Sequence, residues 1–153
     1  MYYQISVVLL LLVLPVLSIT VEAVASTGPD YWPLIGKWLV FWGVGVRLLA
    51  AGLMQTLRPQ FTAEAIFAIS GPEALPIVRE VGFGNLAIGT LALATLAYPE
   101  WIVPAAIVGG LYYGLAGLGH VYRGSRTAKE SFALVSDLAI FVVLAAFVAV
   151  SLW

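Results

Sequence analysis

Arg47, Glu80, His120 and Asp137 carry ionisable groups inside stretches that are otherwise mostly apolar. Their types define a short menu of chemistry. A guanidinium beside a carboxylate can form a desolvated ion pair, clamp an anion or set the acidity of a neighbour. A histidine among carboxylates can pass protons. The amides of Gln55 and Asn85 and the phenol of Tyr113 add donors and acceptors. The menu also excludes. With no cysteine and one histidine, the chain has no thiol nucleophile, no thiolate metal site, no bis-histidine haem and no two-histidine zinc or iron triad. No nucleophile with its base, and no acid–base pair of defined geometry, is legible. No catalytic or metal-binding residue is therefore assigned.

The elements that carry these groups follow from composition. Of the 153 residues, 62% are hydrophobic and 10% are charged, against roughly 45–50% and 25% in soluble domains. So short a chain cannot hide that much apolar surface in one core and still cover itself with polar groups. It belongs in a membrane. Five runs, 5–24, 37–57, 73–98, 101–122 and 130–152, reach the roughly 20 residues that a spanning helix needs. They are continuous rather than alternating, which fits helices and not barrel strands. The expected fold is all-α: one transmembrane domain of five helices. A short surface helix is expected within 58–71, capped by Thr62 with Phe61 and Ile66 as a staple. The first run lacks a basic head and is longer than a signal-peptide core, so it is expected to stay as a helix. The net charge of −1 offers no nucleic-acid footprint.

Counting along the runs gives depth. Arg47 lies ten residues from either end of the second run, about 15 Å deep at 1.5 Å per residue. Asp137 is seven residues beyond Glu130, and Glu80 seven beyond Glu73, which places both carboxylates about 10 Å deep. A long guanidinium stem spans the difference, so the spacing predicts an Arg47–Asp137 or an Arg47–Glu80 pair. Such a pair either fixes helix register or forms a substrate or proton site. Gln55 and Arg58 are expected on the Arg47 face. Asn85, between Gly82 and Gly89, is expected on a close-packed stripe. His120 is expected near a helix C-terminus, as a dipole partner, an interface residue or a proton relay. Glu22 and Lys37 are expected to pair at the opposite interface. Ala106, Gly110 and Gly114, four residues apart, predict close packing against another helix, of this chain, of a second copy or of another subunit.

Lys and Arg at the loop ends predict orientation. Arg58, Arg79, Arg123, Arg126 and Lys129 fall on one side and Lys37 on the other. This arrangement predicts a cytoplasmic N-terminus and an outside C-terminus in the cell membrane.

Two stretches carry a family resemblance: Gly45-Val46-Arg47-Leu48-Leu49-Ala50-Ala51-Gly52-Leu53, and Glu80-Val81-Gly82-Phe83-Gly84-Asn85-Leu86-Ala87-Ile88-Gly89. Together with the glycine-rich run from Gly109 to His120, they resemble the DoxX-like group of small bacterial membrane proteins, nearest to its uncharacterised relatives. The resemblance covers about 37–152 and leaves the first helix as an addition. Some DoxX-like proteins are subunits of a thiosulfate–quinone oxidoreductase, so it implies a bacterial inner-membrane location, partner subunits and a quinone. Where that group often has a lysine after its Ala-Gly element, this chain has Gln55. The expected function is a structural or accessory role within a larger membrane complex. The alternatives are a redox-accessory protein binding a quinone-like or other small molecule, and a proton-coupled carrier using the Arg, carboxylate and His cluster.

Overall fold

The computed structural model describes residues 2–65, 69–122 and 128–153 and contains no strand among them. Five helices are long and apolar enough to cross a membrane: Tyr2–Ala25, Tyr31–Leu57, Ala74–Ala94, Pro99–Tyr122 and Ala128–Ser151. They are the five expected spans, in order, with shifted ends. The second span starts six residues earlier than expected, at Tyr31 rather than 37. Asp30 caps it, its carboxylate accepting the Trp32 N–H at 3.2 Å, and Pro33 sits in the first turn, where a missing N–H is tolerated. The third span stops at Ala94 rather than 98, where the Thr95 hydroxyl donates to the Ala92 carbonyl at 2.7 Å.

The surface helix is present as Pro59–Ala65, but Thr62 does not cap it. Pro59, with φ already set for a helix, takes the first position, and Thr62 is buried inside the helix. Ile66 of the expected staple lies outside the described residues, as do Arg123 and Arg126.

Spans two to five make the core. Val40, Val44, Ala92, Ala105, Ala106, Leu144 and Phe147 form one cluster to which the first span contributes no buried residue. Only 11% of the first span's apolar window is buried, against 44% of the fourth span's. The fourth span is therefore central, and the first lies along the flank of spans two and five.

Spans two and three approach most closely. A Cβ built on Gly89 would stand 2.7 Å from the Leu49 backbone nitrogen, and one on Gly52 would stand 2.8 Å from the Gly82 carbonyl oxygen. Glycine is required there because backbone faces backbone. The Ala106, Gly110 and Gly114 stripe behaves differently. All three residues are buried within the chain, where a Cβ on Gly110 or Gly114 would meet Leu144 or Phe141 of the fifth span. That face is taken up internally, which corrects the expectation that it docks a second copy or another subunit.

The two ends of the bundle differ. At one, the Lys37 ammonium donates to both Glu22 oxygens at 2.8 Å and the Trp38 indole donates to the same carboxylate at 2.8 Å, as the interfacial pair required. Trp32 ties to Ser151 there at 3.0 Å. The other end gathers Tyr3, packed edge-on against Phe132, and Glu130.

Candidate functional site

Each span turns one stripe inward, and the stripes decide which polar groups meet. On the second span Val40, Val44, Arg47 and Leu48 are buried at i, i+4, i+7 and i+8, the spacing of one helical face. On the fifth span Glu130, Ala133, Ser136, Asp137, Ile140, Leu144 and Phe147 share a face. The polar members of that face come first and the apolar ones last. The buried charges thus lie toward the Tyr3 end, and the Lys37 half of this face is closed by Val40, Val44, Leu144 and Phe147, each no more than 3% exposed.

Arg47 is the hub. Its Nη2 donates to Asp137 Oδ1 at 2.7 Å and to Ser136 Oγ at 2.9 Å. The Ser136 hydroxyl donates onward to the Ala133 carbonyl at 2.9 Å, leaving its lone pairs for the guanidinium. The guanidinium carbon stands 4.7 Å from the centroid of the Tyr113 ring, in cation–π contact. The Tyr3 and Tyr113 phenols lie within hydrogen-bonding and electrostatic reach of the same guanidinium. Even so, Arg47 Nη1 is buried and makes no hydrogen bond.

Local backbone geometry positions the Tyr113 hydroxyl. Residues Leu39–Val46 form a π-helical stretch. At its end the Arg47 N–H, whose α-helical acceptor would be the Gly43 carbonyl, goes instead to the Trp42 and Val44 carbonyls. Gly43 O is bypassed, and Tyr113 supplies the missing donor at 2.8 Å. Tyr113→Phe should therefore leave a buried carbonyl without a partner and cost about 1–3 kcal/mol. Unfolding in detergent measures this; unchanged stability would mean that Gly43 O finds its donor elsewhere.

A second polar pair bridges spans two and three. Asn85 Nδ2 donates to Gln55 Oε1 at 2.6 Å. Asn85 Oδ1 and, one residue from Gln55, Thr56 Oγ1 are buried without partners. Tyr112 connects the two regions: it interacts with Asn85 and feels the charges of Arg47 and Asp137. A third pair stands nearer the end of the bundle, His120 Nδ1 lying 3.1 Å from Glu130 Oε1, with His120 also within electrostatic reach of Asp137.

The structure thus brings Arg47, Asp137 and Tyr113 together, joins Gln55 to Asn85, and places His120 beside them through Glu130. It does not bring in Glu80. The buried face of the third span is Val78, Gly82, Asn85, Gly89 and Ala92. Glu80, two residues from both Val78 and Gly82, is turned about 200° away and is exposed. Of the two alternatives for Arg47, the partner is Asp137. Arg58 also departs from the expected face and is exposed. Four contributors were missed in the sequence: Tyr3, Tyr112, Glu130 and Ser136. Ser136 and Glu130 carried a signal, since they fall on the Asp137 stripe at i−1 and i−7. Tyr3 carried none, because its position depends on how the first span docks.

Among the described residues, no group of three His, Cys, Asp or Glu side chains is placed to hold a metal ion. No curated protein and no solved structure matches the chain. A family model does match, over residues 1–153. The chain belongs to DUF6790, a family of unknown function.

Proposed function

We propose that this integral membrane protein is an accessory subunit of a larger membrane complex, and that its buried charges hold its own helices in register. The observation that carries this reading is the closure of Arg47 on Asp137, Ser136 and the Tyr113 ring. These contacts draw spans two, four and five around one cation whose charge is matched inside the chain. The same arrangement weighs against a carrier. A transported ion or proton needs polar groups along its whole route, and here the interior beyond Tyr113 is a layer of Val40, Val44, Leu144 and Phe147. The resemblance of 45–53 and 80–89 to DoxX-like proteins favours the same role, since some of that group are subunits of a complex. The basic residues favour a cytoplasmic N-terminus and an outside C-terminus in the cell membrane, with Arg58, Arg79 and Lys129 inside and Lys37 outside.

The test is purification of the full chain from its native membrane in mild detergent. The expected result is a particle larger than the chain with its own detergent belt, containing other membrane subunits in fixed proportion. The Arg47→Met/Asp137→Asn double variant should co-purify with the same subunits. Elution of the bare chain alone, at every detergent concentration that preserves its fold, overturns the accessory reading.

A further inference from the structure

At the Lys37 end a cavity of about 250 Å³ opens between spans one, two and four. Its polar lining is Glu22, Ser26, Asp30 and Lys37, and the rest is proline and aliphatic side chain. Glu22 is matched there, accepting from the Lys37 ammonium at 2.8 Å and from the Trp38 indole at 2.8 Å. Ser26 donates its hydroxyl to the Glu22 carbonyl at 2.8 Å, which leaves its lone pairs able to accept. Asp30 is not matched. One of its oxygens accepts the Trp32 N–H at 3.2 Å, and among the described residues no cation pairs with its charge. Two carboxylates against one ammonium leave the cavity with a negative charge in excess.

We propose that this cavity binds a primary ammonium group, with the Asp30 carboxylate as its counter-ion.

Size, lining and charge select that class. Pockets for drug-sized molecules begin at roughly 300 Å³, so the space suits a ligand no larger than a lipid headgroup. Quaternary ammonium groups are recognised by aromatic cages, and among the described residues no aromatic ring lines this cavity. Its oxygen acceptors suit a group that carries N–H donors. A calcium ion takes roughly six to eight oxygen ligands, and with Glu22 held by Lys37 only Asp30 has a free carboxylate to give. An anion would meet the Asp30 charge. The backbone N–H groups that draw anions to helix N-termini are also missing at Pro33 and Pro99, near the starts of spans two and four.

The carboxylate is held ready for its partner. The Trp32 N–H fixes one oxygen, and Pro29 and Pro33 restrict the backbone on either side, so little freedom is lost on binding. Asp30 immediately precedes the second span, at the level of lipid headgroups, where a headgroup amine is present at high local concentration.

This inference stands apart from the accessory role, since a subunit or a lone protein could carry the site. The experiment uses the full chain in an alkyl maltoside and four phospholipids with the same acyl chains: phosphatidylethanolamine, its N-methyl and N,N-dimethyl derivatives, and phosphatidylcholine. All four carry the same charges, and the series replaces N–H donors by methyl groups one at a time. Binding is read as the shift in Tm with lipid concentration. The expected result is a stepwise loss of affinity along the series, about fivefold from first to last, the ratio that one partly exposed charge pair can supply. Asp30→Asn should abolish the difference and keep the fold, because asparagine caps a helix as well as aspartate does. If that variant does not fold, a carbodiimide decides on the wild type. It condenses a carboxylate with a primary amine in contact with it, with loss of water, so phosphatidylethanolamine should be found joined to Asp30 in preference to Glu100, which is exposed at the same end. Equal binding of the four lipids overturns the proposal, and so does tightest binding of phosphatidylcholine. A preference that persists in Asp30→Asn, or coupling at Glu100 without coupling at Asp30, overturns it equally. Glycerophosphoethanolamine, the same headgroup without acyl chains, separates the sources of the amine. Stabilisation by it as strong as by the lipid assigns the site to a soluble amine, stabilisation by the lipid alone assigns it to the membrane, and stabilisation by neither overturns the proposal.

Discussion

Arg47→Met is expected to destabilise the bundle by about 3–5 kcal/mol, and Arg47→Met combined with Asp137→Asn to recover most of that loss. The asymmetry follows from desolvation. Asp137 sits on a buried stripe with Ala133, Ile140 and Leu144, and without the guanidinium at 2.7 Å its charge has no counter-ion. It must then remain as an uncompensated anion or take up a proton, and either costs free energy. Converting the acid to an amide removes the charge that made the single variant so costly. Ser136 loses a donor in both variants, so recovery should fall short of the wild type. The comparison is Glu80→Gln, which removes a carboxylate on the exposed face of the third span and should leave the stability effect of Arg47→Met unchanged when the two are combined. Unfolding in detergent gives all the terms. Additive losses for Arg47 and Asp137 would refute their pairing; coupling to Glu80 in place of Asp137 would refute the arrangement of the third span.

Gly89→Ala is the second large effect expected, at about 1–3 kcal/mol. A methyl group there would lie 2.7 Å from the Leu49 nitrogen and 3.0 Å from the Gly45 carbonyl oxygen. Both contacts are backbone in the middle of a helix, so neither can swing aside as a side chain would, and spans two and three must separate. Gly84 provides the control, since a Cβ there meets nothing within 4 Å. Gly84→Ala should be neutral or stabilise by up to about 1 kcal/mol, the helix-propensity difference between the two residues. Gly110→Ala should also be tolerated, its Cβ reaching only Leu144 Cβ at an ordinary 3.5 Å. A Gly89→Ala protein that unfolds with the wild type would mean that spans two and three are not packed as described.

The glycine comparison shows where sequence reading succeeds and where it stops. Recurrence of small residues identified the packing stripes of the third and fourth spans but not their relative tightness. That depends on what lies opposite: Leu49 backbone for Gly89, a Leu144 side chain for Gly110. Depth was legible for the same reason that the spans were, since 1.5 Å per residue converts counting into distance. Azimuth was harder. Glu80 and Asp137 have the same depth by that count, and only the phase of each helix separates them. The phase of the third span was present in Gly82, Asn85 and Gly89, which place Glu80 on the opposite side. The π-helical stretch at Leu39–Val46 had no comparable signal, and with it went the reason why Tyr113 must carry a hydroxyl. Tyr3 and Tyr112 joined the cluster through packing between spans, which no spacing within one span encodes.

The matching of Arg47 by Asp137 has an electrical consequence. One elementary charge moved across a membrane held at 100 mV exchanges about 2.3 kcal/mol with the field, enough to bias a helix between two positions. Arg47 and Asp137, bonded at 2.7 Å, carry no net charge between them, so the pair itself adds almost nothing to the charge that a joint motion of spans two and five would carry through the field. Protonation of Asp137 would end that balance by leaving the guanidinium as a net positive charge at depth. In this bundle, acid and voltage would act through one carboxylate, and the ion pair that fixes the helices also withholds its own two charges from the field.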